Sequence, residues 1–132
     1  MKLILYCDGA CRGNPGHGAI GGVIKSDTGE ILEEISRSIG ICTNNIAEYE
    51  ALIAVLKRAK CMGAKQVTVF TDSELMAKQI NGKYAVKSAQ LRPLYLQAIQ
   101  LAAYFESFSI NHVLRTQNKR ADFLANEAFG TV

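Results

Sequence analysis

Short apolar runs and longer stretches with helically spaced apolar residues divide the chain into a small set of elements. Residues 2–7, Lys-Leu-Ile-Leu-Tyr-Cys, form an apolar run of strand length. The glycine-rich stretch 9–18 reads as a loop. Residues 19–25 and 31–39 read as two strands joined by the turn Ser26-Asp27-Thr28-Gly29-Glu30. Residues 45–61 are rich in alanine and leucine, with apolar positions at helical spacing, and Gly63 closes them. Gln66 to Thr71 is β-branched and strand-like. A short helix is predicted over 74–80, ended by Asn81-Gly82. Pro93 suits the first turn of a longer helix running to about residue 106. Residues 108–115 predict a last strand, and 118–128 a last helix.

The predicted order is β-β-β-α-β-α-α-β-α. Short connections between the first three strands imply an antiparallel meander, and the later helices imply parallel crossovers. The expected class is α/β: a mixed sheet with helices packed on it. No linker, repeat or low-complexity stretch interrupts the pattern, so residues 1–132 read as one domain.

Composition changes this picture little. The 132 residues are 48% hydrophobic and 20% charged, with a formal net charge of +3. A charge that small neither requires nor excludes a nucleic-acid partner. No apolar run approaches the roughly 20 residues that span a bilayer. The N-terminal run is too short, and too soon interrupted by Asp8, for a signal peptide. We expect a cytoplasmic location and no membrane partner, and we also expect a monomer. Cys7, Cys11, Cys42 and Cys61 form no Cys-x-x-Cys pair and fit no zinc spacing. Small buried hydrophobes in a reducing compartment is the reading they favour; a disulfide is the alternative.

Four acids break the apolar pattern. The first and fourth strands both finish on an aspartate, Asp8 and Asp72. If the strands are parallel neighbours, their ends lie about 4.8 Å apart, at the carboxyl ends where open sheets bind ligands. Two carboxylates there repel unless a cation separates them. Glu48 lies in line with Leu52, Val55 and Ala59 on the stripe that should face the sheet, and Asp122 sits beside Ala121, Leu124 and Ala125. Each acid also has a local explanation. Asp8 could open a turn with Gly9, and Glu48 could complete a capping box with Asn45. Asp72 could cap the next helix, and Asp122 could complement a helix N-terminus. Position alone leaves both readings open. A shared site of carboxylate oxygens would suit Mg²⁺ or Mn²⁺ rather than zinc or copper.

Gly16-His17-Gly18-Ala19-Ile20-Gly21 matches a dinucleotide-binding pattern, but a helix would have to open there. Ile20, Val23 and Ile24 argue for a strand instead. A tight backbone that admits a bulky ligand is the more natural reading. Asn14, Asn44 and Asn45 offer uncharged amides that could bind phosphate or sugar, or serve as turn and cap residues.

Four segments together carry a family resemblance. Asp8-Gly9-Ala10-Cys11-Arg12-Gly13-Asn14-Pro15-Gly16 resembles the opening signature of type 1 ribonuclease H. Thr43-Asn44-Asn45-Ile46-Ala47-Glu48-Tyr49-Glu50-Ala51-Leu52 resembles its first-helix motif. Val69-Phe70-Thr71-Asp72-Ser73 resembles its fourth-strand motif, and Asn118-Lys119-Arg120-Ala121-Asp122-Phe123-Leu124-Ala125 its last. The matches occur in order and span residues 1–128. The resemblance implies a ribonuclease H-like fold, with three antiparallel strands and then two parallel ones in a five-stranded mixed sheet. It implies an endonuclease that hydrolyses the RNA strand of RNA/DNA hybrids, leaving 5′-phosphate and 3′-hydroxyl ends. Asp8, Glu48, Asp72 and Asp122 would bind two Mg²⁺ ions, with Mn²⁺ able to substitute. Asn14, Asn44 and Asn45 would contact the hybrid in its minor groove. Gly9, Cys11, Arg12, Thr43, Ser73 and Asn118 join them as expected substrate contacts. Selectivity for RNA must come from its 2′-hydroxyls.

Two departures shape the expectation. Many bacterial members carry a histidine in the loop before the last aspartate. Here Arg115 stands roughly in its place, as in the archaeal and plant-like branch, and His112 falls within a predicted strand. Arginine cannot act as a base near neutral pH, so Arg115 enters the catalytic set as a phosphate-contacting or product-releasing group. The second departure is the connection 81–92, which lacks the family's basic protrusion. Lys83, Lys87 and Arg92 there are either contacts to the DNA strand or solvated surface. Two alternatives follow: a broader nuclease that also cuts double-stranded RNA, and a binding module with a dead site.

Overall fold

The structure is a computed structural model that describes residues 1–130; Thr131 and Val132, included in the single-domain expectation, lie outside the described residues. Five strands form one sheet in the order β3-β2-β1-β4-β5. They are β1 (Lys2–Gly13), β2 (Gly16–Ser26), β3 (Ile31–Cys42), β4 (Gln66–Thr71) and β5 (Ser107–His112). The first three are antiparallel neighbours, and β4 and β5 add on in parallel. The helices are α1 (Asn44–Cys61), α2 (Glu74–Ile80), α3 (Arg92–Tyr104) and α4 (Lys119–Glu127). Element order and sheet pattern match the expectation from sequence.

Period-two alternation sends the two faces of the central strands to different cores. Leu3, Leu5 and Cys7 of β1 are buried with Leu52, Val55, Leu56 and Ala59 of α1, and α3 closes the same core through Ala98. Tyr6 points the other way, into a smaller cluster with Val23, Ala121 and Leu124 beneath α4. Successive glycines on β2 make both approaches possible. A side chain at Gly22 would lie 2.6 Å from Val55 of α1, and one at Gly21 only 2.1 Å from the Ala121 carbonyl of α4.

The structure corrects several boundaries. The stretch 9–18 is no loop: β1 runs on to Gly13 and β2 starts at Gly16, so both arms pair as a hairpin from Asp8↔Gly21 to Gly13↔Gly16. Strand β3 extends to Cys42. Helix α1 is capped by Thr43, whose hydroxyl accepts from the Ile46 amide at 3.3 Å, so Asn45 is a helical residue and not the cap. Helix α3 ends at Tyr104 and β5 stops at His112. Arg115 therefore leaves the sheet and lies in a single 3₁₀ turn, Arg115–Gln117.

Candidate active site

The parallel pairing of β1 with β4 ends at Cys7↔Thr71. Asp8 and Asp72 are the next residues on each strand, so they flank the point where β1 parts from β4 and continues with β2 alone. Asp8 is thus inside a strand but at the end of the parallel ladder, which is the relation the sequence suggested for the wrong reason. Glu48 reaches the same point from the first turns of α1. Gly9 makes this approach possible, because a Cβ there would lie 2.2 Å from the Ala47 carbonyl carbon. The Gly9 amide donates to Glu48 Oε1 at 2.7 Å and fixes the carboxylate against the strand.

Carboxylate oxygens of Asp8, Glu48 and Asp72 lie within 4.8 Å of one another. Asp8 is 5% exposed. Burial, then the neighbouring charges of Glu48 and Asp72 and a contact with Asp122, pushes its carboxyl up to about 9. Burial also pushes Glu48 up to about 8, against the opposing effect of the Gly9 hydrogen bond. Buried Asp8 and half-buried Glu48 and Asp72 together form a set of hard oxygen donors lacking positive charge. The donor set fits a hard divalent cation such as Mg²⁺ or Mn²⁺.

Asp122 stands at the edge of this trio. Its Oδ1 receives the Arg115 guanidinium at 3.3 Å and the Asn126 side-chain amide at 3.3 Å. Arg115 is 77% exposed and borders the cavity above the acids. Asp8, Gly9, Cys11, Arg12, Asn44, Glu48, Asp72 and Asp122 line that same cavity. Asn14, Thr43, Asn44 and Asn45 line an adjoining groove, and Asn14 Oδ1 accepts from the Asn44 amide at 3.1 Å. The 81–91 connection contributes Ser88 and Gln90 to this groove, while Lys83, Lys87 and Arg92 are exposed outside its lining.

Two expected substrate contacts occupy other positions. Ser73 caps α2, its hydroxyl accepting from the Met76 amide at 3.2 Å, and it does not line the cavity. Asn118 is 1% exposed, and its Nδ2 donates to the Cys7 carbonyl at 2.9 Å. It ties the start of α4 to the strand that carries Asp8, so its side chain serves position rather than contact. Two residues were missed as members of the site. His112 lines the cavity because β5 ends on the pair Thr71↔His112, beside Asp72; that register is invisible in sequence. Asn126 was legible, since it lies four residues after Asp122 on one helix face.

A family profile described as "Reverse transcriptase-like" matches residues 6–128. Ribonuclease HI of Halobacterium salinarum is 46% identical over 96% of this chain. The chain spans 64% of that protein's length, and 35% of the mycobacterial proteins that also match. The crystal structure of RNase H1 from Halobacterium salinarum superposes with a TM-score of 0.95 at 43% identity, covering 98% of both chains. LC11-RNase H1, crystallised in complex with an RNA/DNA hybrid, superposes with a TM-score of 0.90 at 40% identity, covering 96% of this chain and 95% of that one.

Proposed function

The chain belongs to the ribonuclease H family, and we propose that it is an endonuclease that hydrolyses the RNA strand of RNA/DNA hybrids with magnesium as cofactor. The observation that carries this reading is the trio Asp8, Glu48 and Asp72, with oxygens within 4.8 Å, on the floor of a cavity that Asp122 and Arg115 border. The similar LC11 enzyme, crystallised with a hybrid, supports the substrate class.

Asp8, Glu48 and Asp72 would hold the metal, with Asp122 completing the set for a second ion. Bound there, divalent cations supply the charge that activates water and offsets the leaving oxygen in phosphodiester hydrolysis. The protein's own groups do the rest. The Gly9 amide orients Glu48. Arg115, a fixed cation at the cavity edge, attracts the scissile phosphate and releases Asp122 when it does so. Asn14, Asn44 and Asn45 present amides along the groove where 2′-hydroxyls would distinguish RNA from DNA. The four free cysteines suit a reducing cytoplasm, and a monomer is part of the proposal.

The test uses labelled RNA/DNA hybrid, double-stranded RNA and double-stranded DNA with Mg²⁺, comparing wild type with Asp8→Asn. Wild type should cut hybrid to products with 5′-phosphate ends, and the variant should not. Hybrid bound but left intact by wild type would establish a binding module instead. Cleavage of double-stranded RNA at a comparable rate would broaden the substrate class.

A further inference from the structure

Cys11 and Cys42 lie on β1 and β3, the two strands that flank β2. Their partners on β2 are Gly18 and Gly16, respectively. With no side chain at either glycine, the two thiols meet over the middle strand. Their sulfurs are 3.6 Å apart, and Cys11 Sγ also lies 2.9 Å from the Cys42 carbonyl oxygen. A Cβ at Gly18 would sit 2.3 Å from Cys42 Sγ and close this passage. Catalysis as described above uses neither sulfur.

We propose that Cys11 and Cys42 form an oxidisable dithiol, and that a peroxide closes a disulfide between them beside the substrate groove. Cys11 is half-buried and lines the acid cavity, whereas Cys42 is 8% exposed. The oxidant therefore meets Cys11 first. The Cys11 thiolate attacks one peroxide oxygen, breaking the O–O bond and giving a sulfenic acid, while the departing hydroxide takes a proton and leaves as water. The Cys42 sulfur then attacks the Cys11 sulfur and expels hydroxide, which takes the Cys42 proton as a second water. Two thiols and one peroxide become one disulfide and two waters.

Closure brings the sulfurs from 3.6 Å to about 2.05 Å, so β1 and β3 are drawn together by up to about 1.5 Å. Cys42 immediately precedes the Thr43 cap and Asn44, and Cys11 precedes the turn that carries Asn14. The bridge thus acts on both ends of the Asn14–Asn44 contact. The functional consequence rests on the hybrid reading: KM for hybrid should rise by about fivefold or more, with kcat within about twofold, because groove positions move while the acids do not.

The experiment uses the full chain carrying Cys61→Ser, which removes an exposed thiol. After limited hydrogen peroxide, non-reducing peptide mapping should find residues 11 and 42 joined within one chain, with two hydrogens lost and full reversal by dithiothreitol. Adding Cys42→Ser should leave reduced-state cleavage unchanged, abolish the joined peptide and remove the KM response. Cys11 oxidised to higher acids without a bridge would overturn the proposal. A bridge that leaves hybrid KM unchanged would overturn its link to the groove. Failure of the reduced protein to bind hybrid would count against the nuclease reading alone, since the peptide map reports the bridge without it.

Discussion

Replacing Asp8 by asparagine should stabilise the metal-free protein while abolishing cleavage. The oxygens of Asp8, Glu48 and Asp72 lie within 4.8 Å of one another. At that spacing a like-charged pair costs about 3.5 kcal/mol at an effective dielectric near 20. Neutralising Asp8 relieves two such pairs, about 7 kcal/mol together before screening. The rise of its carboxyl from 3.8 to about 9, caused first by burial and then by the neighbouring charges, corresponds to a ceiling of about 7 kcal/mol for both causes together. Water in the open cavity and counterions reduce this, so the expected gain for Asp8→Asn is about 2–4 kcal/mol near pH 9. The sign with pH follows from proton binding. Folded Asp8 and Glu48 keep protons that the unfolded chain has lost above about pH 4, so wild-type stability falls as pH climbs toward their folded values. Asp8→Asn lacks its share of that slope, and its gain should shrink below about 1 kcal/mol near pH 4.5. Urea unfolding followed by circular dichroism, with chelator present, measures both. Mg²⁺ should then stabilise wild type more than the variant. A variant less stable than wild type at pH 9, or an equal gain at both pH values, would refute the electrostatic argument.

Removing the Asn118 side chain should cost about 1–3 kcal/mol in urea unfolding, because its bond to the Cys7 carbonyl is lost. Asn118→Asp should do no better than Asn118→Ala, since a carboxylate cannot donate, and both should lower kcat for hybrid. Gly21→Ala should destabilise by about 2–3 kcal/mol or displace α4, because the new methyl falls 2.1 Å from the Ala121 carbonyl; thermal unfolding and hydrogen exchange on α4 would show it. Tyr49→Phe should cost about 1–2 kcal/mol by stranding buried Gln79 Oε1, which accepts from the Tyr49 hydroxyl at 2.8 Å, with cleavage rates unchanged.

The acids were legible because they violate a pattern. Glu48 interrupts a stripe that otherwise holds Leu52, Val55 and Ala59, and Asp8 and Asp72 each follow an apolar run. The hairpin arms at 9–18 were not legible. Glycine lowers strand propensity, so Gly16 and Gly18 read as loop, yet they are in β2 because neighbouring side chains and backbone need the space. Local propensity carries no record of what passes overhead. Arg115 was misplaced for a related reason. Val113 still hydrogen-bonds to the Thr71 carbonyl at 2.9 Å, so the apolar run continues past the strand's last paired residue, and only the 3₁₀ turn carries Arg115 to Asp122.

Asp122 shows where local reading stops and packing begins. Asp8 and Asp72 are placed by the register of one parallel ladder, and Glu48 by a helix held against Gly9. Asp122 depends on a longer chain of contacts: Gly21 admits α4 to the sheet, Asn118 ties its first turn to Cys7, and Arg115 and Asn126 hold the carboxylate itself. Arg115 and Asn126 are near neighbours in sequence, but the Gly21 and Asn118 contacts join segments 100 or more residues apart. The trio tolerates small displacements of α4, because no member of it rides on that helix. The fourth acid does not. Substitutions under α4 should therefore weaken whatever requires Asp122 before they disturb binding at the trio, and the two can be separated by comparing hybrid cleavage with Mg²⁺-induced stabilisation in the same variant.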